Sequence, residues 1–193
     1  MMKSLIITLL CSFCLSTTNA QSYFRQCGIQ LLTKQNGLSN NTLTGIYQDK
    51  VGFLWLGTDV GLSRYDGIHF HNYNLIDKEP RALAHLYETS NNLLWSHIAN
   101  LNQIACFDKM RGIYMPLISP TPEVLKDIQD ICVLQDKLYA LTSNVIVELK
   151  MEKNADEIRL TAQPLIDIKT KVLRLYNNED ILCALTVENQ IRS

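Results

Sequence analysis

The 193-residue sequence has almost no net charge and little glycine or proline. Its 18 basic and 19 acidic residues give a formal charge of −1, so there is no basic surplus for binding nucleic acid or an anionic membrane surface. Five prolines and eight glycines are too few for a low-complexity segment. After residue 20, no stretch shows the apolar period of a long amphipathic helix. The composition therefore indicates a globular, non-helical protein with no nucleic-acid partner.

Residues 1–20 have the parts of a secretory signal. Lys3 gives a positive start, residues 5–15 form an apolar run, and small residues stand at Thr18 and Ala20. The apolar run is shorter than the roughly 20 residues that a membrane-spanning helix needs, which makes an N-terminal anchor the less favoured alternative. We expect cleavage after Ala20, export to the periplasm and no membrane span in the mature chain.

The cysteines after the signal lack the spacing of a metal site. Cys27, Cys106, Cys132 and Cys183 lie far apart and form no CxxC pair, so no metal centre and no cofactor are expected. The last three stand in apolar, strand-like runs, where a cysteine usually acts as a small buried hydrophobe. The sequence favours buried free thiols over disulfides, although an oxidising compartment would permit bridges.

What the sequence does contain is a series of short apolar runs broken by Asn, Asp and Gly. Such runs predict short antiparallel strands joined by tight turns. Four of them fall within about 35 residues, which is the size of one β-propeller blade. The four predicted strands cover residues 42–48, 53–58, 62–65 and 68–73.

The pattern returns along the chain. Leu54, Leu94, Leu138 and Leu182 are equivalent positions, at steps of 40, 44 and 44 residues. Four-stranded repeats of about 40 to 50 residues are typical of propellers, and lone blades cannot bury their apolar faces without neighbours. The sequence therefore predicts an all-β fold, a partial β-propeller of about four blades of four antiparallel strands. Within residues 21–193 the predicted blades cover 37–76, 77–118, 119–165 and, incompletely, 166–193.

Some repeat positions are predicted to be structural. The aromatic residues Trp55, Trp95 and Tyr139 each follow one of the equivalent leucines, and we expect them to pack between blades rather than to form exposed stacking platforms. Gly57 and Gly61 flank a short turn, where the backbone must turn tightly or approach a neighbour closely.

Four strings in the first blade form a recognisable pattern. They are Gly37-Leu38-Ser39-Asn40-Asn41, Ile46-Tyr47-Gln48-Asp49, Gly52-Phe53-Leu54-Trp55-Leu56-Gly57-Thr58 and Gly61-Leu62-Ser63-Arg64-Tyr65-Asp66-Gly67. Together they resemble a known family, the two-component regulator propeller repeat. The resemblance is strong in the first blade, weaker in the second, and rests mainly on spacing in the third and fourth.

The resemblance implies the periplasmic sensor region of a hybrid two-component regulator of Bacteroides-type bacteria, which responds to oligosaccharides. Full-length relatives carry two seven-bladed propellers, a membrane helix and a histidine kinase. This sequence has no kinase histidine box and no nucleotide-binding glycine motif, so we expect no enzyme activity. We expect a fragment, truncated relative to a seven-bladed ring. Three alternatives are open: further sequence completes the ring, a second copy or another propeller chain completes it, or the open arc is unstable alone.

Two other functions remain open. One is a propeller scaffold for protein–protein interaction, and the other is a fragment of a propeller glycoside hydrolase or lyase. No pattern places two carboxylates at a shared centre, and no G-x-S-x-G string marks a nucleophile. No catalytic residue is therefore assigned.

Candidate ligand-binding residues are few. Asn40, Asn41, Arg64 and Asp66 are weak candidates because they are expected in exposed loops or strands, although Asn and Asp there also suit turns. His69 and His71 lie two residues apart, so they share one face of a strand. No further ligand at useful spacing completes a metal site there. We expect both histidines on a solvated outer strand, with Ile68 and Phe70 facing the neighbouring blade.

Overall fold

The structure is a computed structural model, and it describes residues 30–74, 82–143, 145–186 and 191–192. The expected signal at residues 1–20 and Cys27 lie outside the described residues. The chain divides into two units, Met1–Leu32 and Thr33–Ser193. Of the first, only residues 30–32 are described, and the account below concerns the second. None of the helices in the described ranges is long and apolar enough to cross a membrane.

The described residues form four sheets, whose strands follow one another along the chain. The first sheet has the order β1-β2-β3-β4, the second β5-β6-β7-β8, the third β10-β11-β12-β13-β9 and the fourth β14-β15-β16. All neighbours are antiparallel except β9 and β13. The strands are β1 (Leu43–Gln48), β2 (Leu54–Thr58), β3 (Gly61–Tyr65), β4 (Phe70–Asn74), β5 (Leu83–Thr89), β6 (Leu93–Ile98), β7 (Gln103–Asp108), β8 (Ile113–Met115), β9 (Leu117–Ile118), β10 (Asp130–Leu134), β11 (Lys137–Leu141), β12 (Val145–Lys153), β13 (Ile158–Asp167), β14 (Val172–Asn178), β15 (Ile181–Thr186) and β16 (Ile191–Arg192).

This arrangement confirms the predicted all-β, partial-propeller fold. The four strands expected in the first blade are β1 to β4, within two residues at each end. The equivalent leucines also hold equivalent places. Leu54, Leu94, Leu138 and Leu182 all lie in the second strand of a sheet and pair with residues of the first strand. Two short 3₁₀ turns, Lys34–Asn36 and Val124–Lys126, lie outside the sheets.

Aspartates cap two of the turns in the first blade. After β1, Asp49 Oδ1 accepts hydrogen bonds from the backbone N–H groups of Val51, Gly52 and Phe53, at 3.1, 3.1 and 3.0 Å. Gly52 has a φ of +102°, a conformation that glycine adopts without steric cost. Between β3 and β4, Asp66 Oδ1 accepts the backbone N–H groups of Ile68 and His69 in the same way. Short polar side chains thus set the strand lengths.

Apolar clusters fill the spaces between successive sheets. Trp55 and Leu62 of the first sheet pack with Leu94 and Phe107 of the second. A second cluster joins the second and third sheets, and a third joins the third and fourth. Each cluster draws side chains from two neighbouring sheets, so a single blade has no complete core of its own.

The repeated aromatic residues differ in how deeply they are buried. Trp55 and Trp95 are 1% and 0% exposed and belong to the clusters between sheets. Trp55 stacks on Tyr73 at 5.9 Å and lies 5.5 Å from Phe107 between ring centroids. Tyr139, in the third sheet, is only half-buried and belongs to none of the clusters.

One expectation for the outer strand is wrong. Ile68 does not face a neighbouring blade, because it lies in the turn before β4 and is 77% exposed. Phe70 is partly covered and stacks on Tyr65 of its own sheet, with centroids 4.6 Å apart. The side chains of His69 and His71 are exposed, as expected.

The described cysteines are small buried groups. Cys106, Cys132 and Cys183 are buried and their thiols are free. Burial is the main cause that raises the pKa of the Cys132 thiol to about 11. It raises the pKa of the Cys106 thiol further still. Both thiols are therefore protonated at neutral pH and unreactive as nucleophiles.

Buried ion pairs tie neighbouring blades together. Lys109, at the end of the β7 strand, places its Nζ 2.9 Å from Asp49 Oδ2 in the first blade and 2.7 Å from Glu88 Oε1 in its own blade. Trp55 Nε1 donates to the same Asp49 oxygen at 2.9 Å. Lys153 of the third blade repeats this arrangement, 2.7 Å from Asp108 Oδ2 of the second. Each aspartate thus caps a turn and binds the next blade.

These contacts keep both aspartates ionised. Burial opposes ionisation of the Asp49 carboxyl, but hydrogen bonds from Trp55 and Lys109 and the Lys109 charge together hold its pKa below the ordinary 3.8. Burial likewise opposes ionisation of Asp108, and its bonds to Lys153, Arg111 and Met110 lower the pKa of that carboxyl. Both carboxylates therefore stabilise the folded chain above about pH 4.

We expect this stabilisation to disappear in acid. Because the folded-state pKa lies below the unfolded one, stability should hold from pH 7 to 5 and fall as the pH drops through 3.8 towards the lowered value. Urea unfolding measured at steps from pH 7 to 3 checks this. Asp49→Asn should be less stable at pH 7 and depend less on pH, whereas Asp156→Asn, at an exposed position, should follow the wild type. A midpoint that is flat down to pH 3 would contradict the role of these pairs.

The first and second blades approach each other closely at Gly57. A Cβ at this position would overlap the backbone oxygen of Leu83, at the start of β5. Thr44 Oγ1 donates to the same oxygen at 2.8 Å. Because a backbone group cannot swing aside as a side chain can, Gly57 is required for the contact between the two sheets.

Gly57→Ala should therefore force the two sheets apart. We expect a loss of about 2–3 kcal/mol, in the upper range for overpacking, and a melting temperature lower by about 4–10 °C. Thermal and urea unfolding measure both. The matched control is Gly67→Ala, where a Cβ would meet nothing but φ is +100°, so that only the backbone strain of about 1 kcal/mol applies. Equal losses in the two variants would disprove the close approach.

Candidate functional site

Polar groups collect at one end of the blades, where the first strand of each sheet begins. Leu43 pairs with Thr58, Leu83 with Ile98 and Asp130 with Leu141, so the starts of β1, β5 and β10 share this end with the turns between the second and third strands. We call it the upper end. The first strands also lie side by side, β5 between β1 and β10, and β10 next to β14. This is how the innermost strands of a propeller are arranged.

His85 and Asp130 meet across two of these first strands. His85 Nδ1 lies 2.5 Å from Asp130 Oδ1. His85 stands at an irregularity in β5, between Ala84 and Tyr87, and has a φ of +50°. A non-glycine residue in this region is uncommon and costs of order 1 kcal/mol. The surrounding contacts therefore hold His85 in a backbone conformation that a non-glycine residue ordinarily avoids.

Asp130 is a hub between three blades. Its side chain is 1% exposed. Besides His85 of the second blade, Oδ1 accepts the N–H of Ile131 at 2.8 Å, and Oδ2 accepts the N–H of Leu175 in the fourth blade at 2.7 Å. A buried carboxylate needs such donors, because leaving it unpaired in a low dielectric is costly.

His97 completes the group from below the surface. It is 4% exposed, and its Nε2 lies 2.9 Å from the carbonyl oxygen of Ile128. Since a carbonyl only accepts, Nε2 carries the hydrogen and Nδ1 keeps its lone pair. Burial is the main cause that lowers the pKa of this ring, so it is neutral at neutral pH. The His85 and His97 rings are stacked, with centroids 6.1 Å apart.

Beside this group lies a polar crevice between the third and fourth blades. Its volume is about 310 Å³. Gln129, directly before Asp130, donates from Nε2 to Ser143 Oγ at 2.9 Å, and Ser143 in turn bonds Asp127. The remaining lining residues are Leu141, Thr142, Ile168, Lys169, Thr170, Lys171 and Val172. Amide, hydroxyl and ammonium groups thus face a solvent-open cleft at the upper end.

A larger crevice has a different character. It has a volume of about 580 Å³ and lies along β7, β8 and the segment after them. Its lining includes Ile98, Ile104, Met115, Leu117 and Leu125, with Gln103 and Lys126 among the few polar groups. It faces the outer strands of the second blade, away from the first strands.

The residues proposed from sequence are not brought together. Asn40 and Asn41 precede β1 at the upper end, whereas Asp66 follows β3 at the opposite end. Asn40 Oδ1 accepts the N–H of Thr42 at 3.0 Å, and Asn41 Oδ1 accepts that of Lys34 at 2.8 Å. Each asparagine therefore stabilises the local chain, and ligand binding by either stays a prediction.

Arg64 and the exposed histidines also have local contacts. The Arg64 guanidinium lies 4.7 Å above the Phe53 ring, and its buried Nε has no hydrogen-bond partner among the described residues. His69 Nδ1 lies 3.8 Å from Asp66. These contacts all lie in the first blade. The group around Asp130 belongs to the second, third and fourth blades.

The grouping of His85, His97 and Asp130 was missed in the sequence. Two signals pointed towards it. His85 and Asp130 are 45 residues apart, about one repeat, and His97 takes the place that Gly57 has in the first blade. The irregularity in β5, which turns His85 towards Asp130, could not be seen in the sequence.

Comparison with known proteins agrees with the first blade. Residues 37–60 match the family described as two component regulator propeller. The similarity to this family therefore covers part of the first blade. No curated protein matches the sequence.

Solved structures share the fold. The extracellular domain of the putative one component system BT4673 from B. thetaiotaomicron has a TM-score of 0.60 and 18% identity, over 85% of this chain and 25% of that one. The extracellular domain of the putative hybrid two component system BT3049 from the same organism has a TM-score of 0.56 and 20% identity, over 84% and 26%.

An enzyme shares the fold as well. Virginiamycin B lyase from Staphylococcus aureus has a TM-score of 0.56 and 18% identity, over 81% of this chain and 56% of the lyase. The chain thus spans about half of the lyase and a quarter of the two extracellular domains. At these identities the similarity establishes the propeller fold.

Proposed function

We propose that this chain is the ligand-binding part of an extracytoplasmic sensor propeller, which responds to an oligosaccharide and performs no chemistry itself. The observation that carries the proposal is the polar crevice at the upper end, beside the first strands of a chain whose first blade is similar to the regulator propeller family. Propellers and other repeat folds typically bind ligands where the loops of successive units converge.

The lining of the crevice suits a hydroxyl-rich ligand. Gln129, Thr142, Ser143 and Thr170 offer donors and acceptors, and Lys169 and Lys171 add positive charge. Sugars bind through many hydrogen bonds of this kind, each of which contributes about 1 kcal/mol net, and more where one partner is charged. The two lysines favour an oligosaccharide with acidic groups over a neutral one.

Export to the periplasm and closure of the ring by a second copy or another propeller chain remain predictions. Both follow from the expected signal and from the number of blades, and the sensor proposal does not depend on ring closure. A protein–protein scaffold is an alternative of the same fold, which would present blade edges rather than this crevice.

A hydrolase or lyase is the second candidate, and one observation favours it. The buried Asp130 carboxylate orients a partly exposed His85, which is how enzymes position a general base. Virginiamycin B lyase has a similar fold, so this fold also occurs in an enzyme.

Titration calorimetry with the full chain separates these functions. A panel of neutral and acidic oligosaccharides should contain binders in the acidic group, and Lys171→Ala should weaken them by about tenfold, or roughly 1.4 kcal/mol. The control is Lys50→Ala, in the turn at the opposite end, which should bind as the wild type does. Absence of binding across the panel, or equal effects of the two variants, would contradict the proposal. Release of shorter sugars or unsaturated products would establish the enzyme instead.

A further inference from the structure

We propose that His85, His97 and Asp130 form a binding site for a divalent transition-metal ion of the zinc type at the centre of the upper end. One nitrogen of each histidine and one oxygen of the aspartate lie within 4.8 Å of one another. These three residues come from β5, β6 and β10, in two different blades. The site is separate from the oligosaccharide crevice in its donors, and it does not depend on the function proposed above.

The chemistry of the donors selects the type of metal. Two imidazoles and one carboxylate suit zinc and its neighbours in the first transition row, which accept nitrogen and oxygen at about 2.0–2.2 Å. Calcium and magnesium prefer sites built of oxygen alone. Three protein ligands also leave a fourth position open, as in zinc sites that bind water or a substrate.

His97 is already oriented as a metal ligand. Its Nε2–H is directed at the carbonyl oxygen of Ile128, 2.9 Å away, which leaves the Nδ1 lone pair available. Histidines that bind metals almost always donate their other ring N–H to a carbonyl or carboxylate in this manner. The backbone of Ile128 therefore fixes both the tautomer and the ring.

Asp130 supplies the negative charge. Its carboxylate is 1% exposed, and among the described residues no lysine or arginine lies within ion-pair distance of it. The other buried aspartates, Asp49 and Asp108, each have a lysine at 2.9 Å or less. Asp130 differs from them in having histidines where they have a lysine. The two backbone N–H donors from Ile131 and Leu175 hold the carboxylate in place, as outer-shell groups do in metal sites.

His85 is the metal ligand that solvent can reach. Its side chain is 27% exposed, and its position at the irregularity of β5 directs the ring at Asp130. In the metal-free chain the 2.5 Å contact between His85 Nδ1 and Asp130 Oδ1 holds a proton. When a metal ion takes the place of that proton at Nδ1, the neutral ring carries its hydrogen on Nε2 instead, and the two atoms move apart to roughly 3.3 Å, the separation of two ligands in a zinc tetrahedron.

Metal binding would hold three blades together. The ion joins His85 and His97 of the second blade to Asp130 of the third, and Asp130 also accepts a hydrogen bond from Leu175 of the fourth. A metal that binds only the folded chain stabilises it by RT ln(1 + [metal]/Kd), so the stabilisation grows with the metal concentration. Zinc should therefore raise the melting temperature.

Zinc titration of the untagged, chelator-treated full chain tests the proposal, with a chromogenic chelator as competitor. We expect one zinc ion per chain and a higher melting temperature. His85→Asn should weaken binding by at least about tenfold. Asn tolerates the positive φ of His85 and keeps a donor for Asp130, so the fold is preserved. The control is His69→Asn/His71→Asn, which removes the exposed pair on the outer strand and should bind zinc as the wild type does.

The visible absorption spectrum of bound Co²⁺ tests the site in the wild-type chain, without any variant. Co²⁺ in the wild-type chain should show the visible absorption of a four-coordinate nitrogen and oxygen site, and zinc should displace it. The proposal is overturned if the wild type binds no zinc, if His85→Asn binds it unchanged, or if binding disappears in the His69→Asn/His71→Asn variant. Cobalt spectra of a six-coordinate, fully hydrated ion would overturn it as well.

Discussion

The second and third sheets are apolar on both faces, because each contributes to two apolar clusters, and this constraint governs the rest of the structure. A sheet of four short strands cannot bury two faces by itself. The described sheets solve the problem by stacking, so that Trp55 is covered by Phe107 of the next blade and Trp95 by the cluster shared with the third. The core is therefore a series of interfaces.

Stacking in turn determines where polar groups can lie. The first two sheets come so close that Gly57 of β2 has no room for a Cβ beside Leu83 of β5. One repeat later, His97 occupies the equivalent place. The carbonyl oxygen of Ile128, shortly before β10 of the third blade, accepts its ring N–H. The same close approach brings His85 to Asp130. A site between blades thus results from the geometry that buries the apolar faces.

The sequence alone was enough to predict the propeller fold, but it did not predict the group of His85, His97 and Asp130. The repeated Leu-Trp positions predicted the strands and their stacking, because burial between blades demands the same residues once per repeat. The prediction placed Ile68 in a strand facing the neighbouring blade. It was wrong because the alternation of apolar and polar residues does not show where a turn ends and the strand begins. Tyr139 follows the same pattern as the tryptophans but is only half-buried.

The contacts of His85 and Asp130 depend on two features that a linear pattern does not contain. One is the irregularity in β5, which changes the face on which His85 lies. The other is the side-by-side approach of β5 and β10, which brings His85 within hydrogen-bond distance of Asp130. Both arise from three-dimensional packing, and both are invisible to a reading of apolar periodicity.

The central claim is that each blade is stabilised by its neighbours, and native-state hydrogen exchange of Leu138→Ala tests it most directly. Leu138 is 0% exposed in the cluster between the second and third sheets, and its truncation should cost about 2–5 kcal/mol. The account predicts faster exchange in β5 to β8 as well as in β10 to β13, because both sheets lose a shared core. Loss of protection confined to the third sheet would show that the blades are stable independently and would contradict the account.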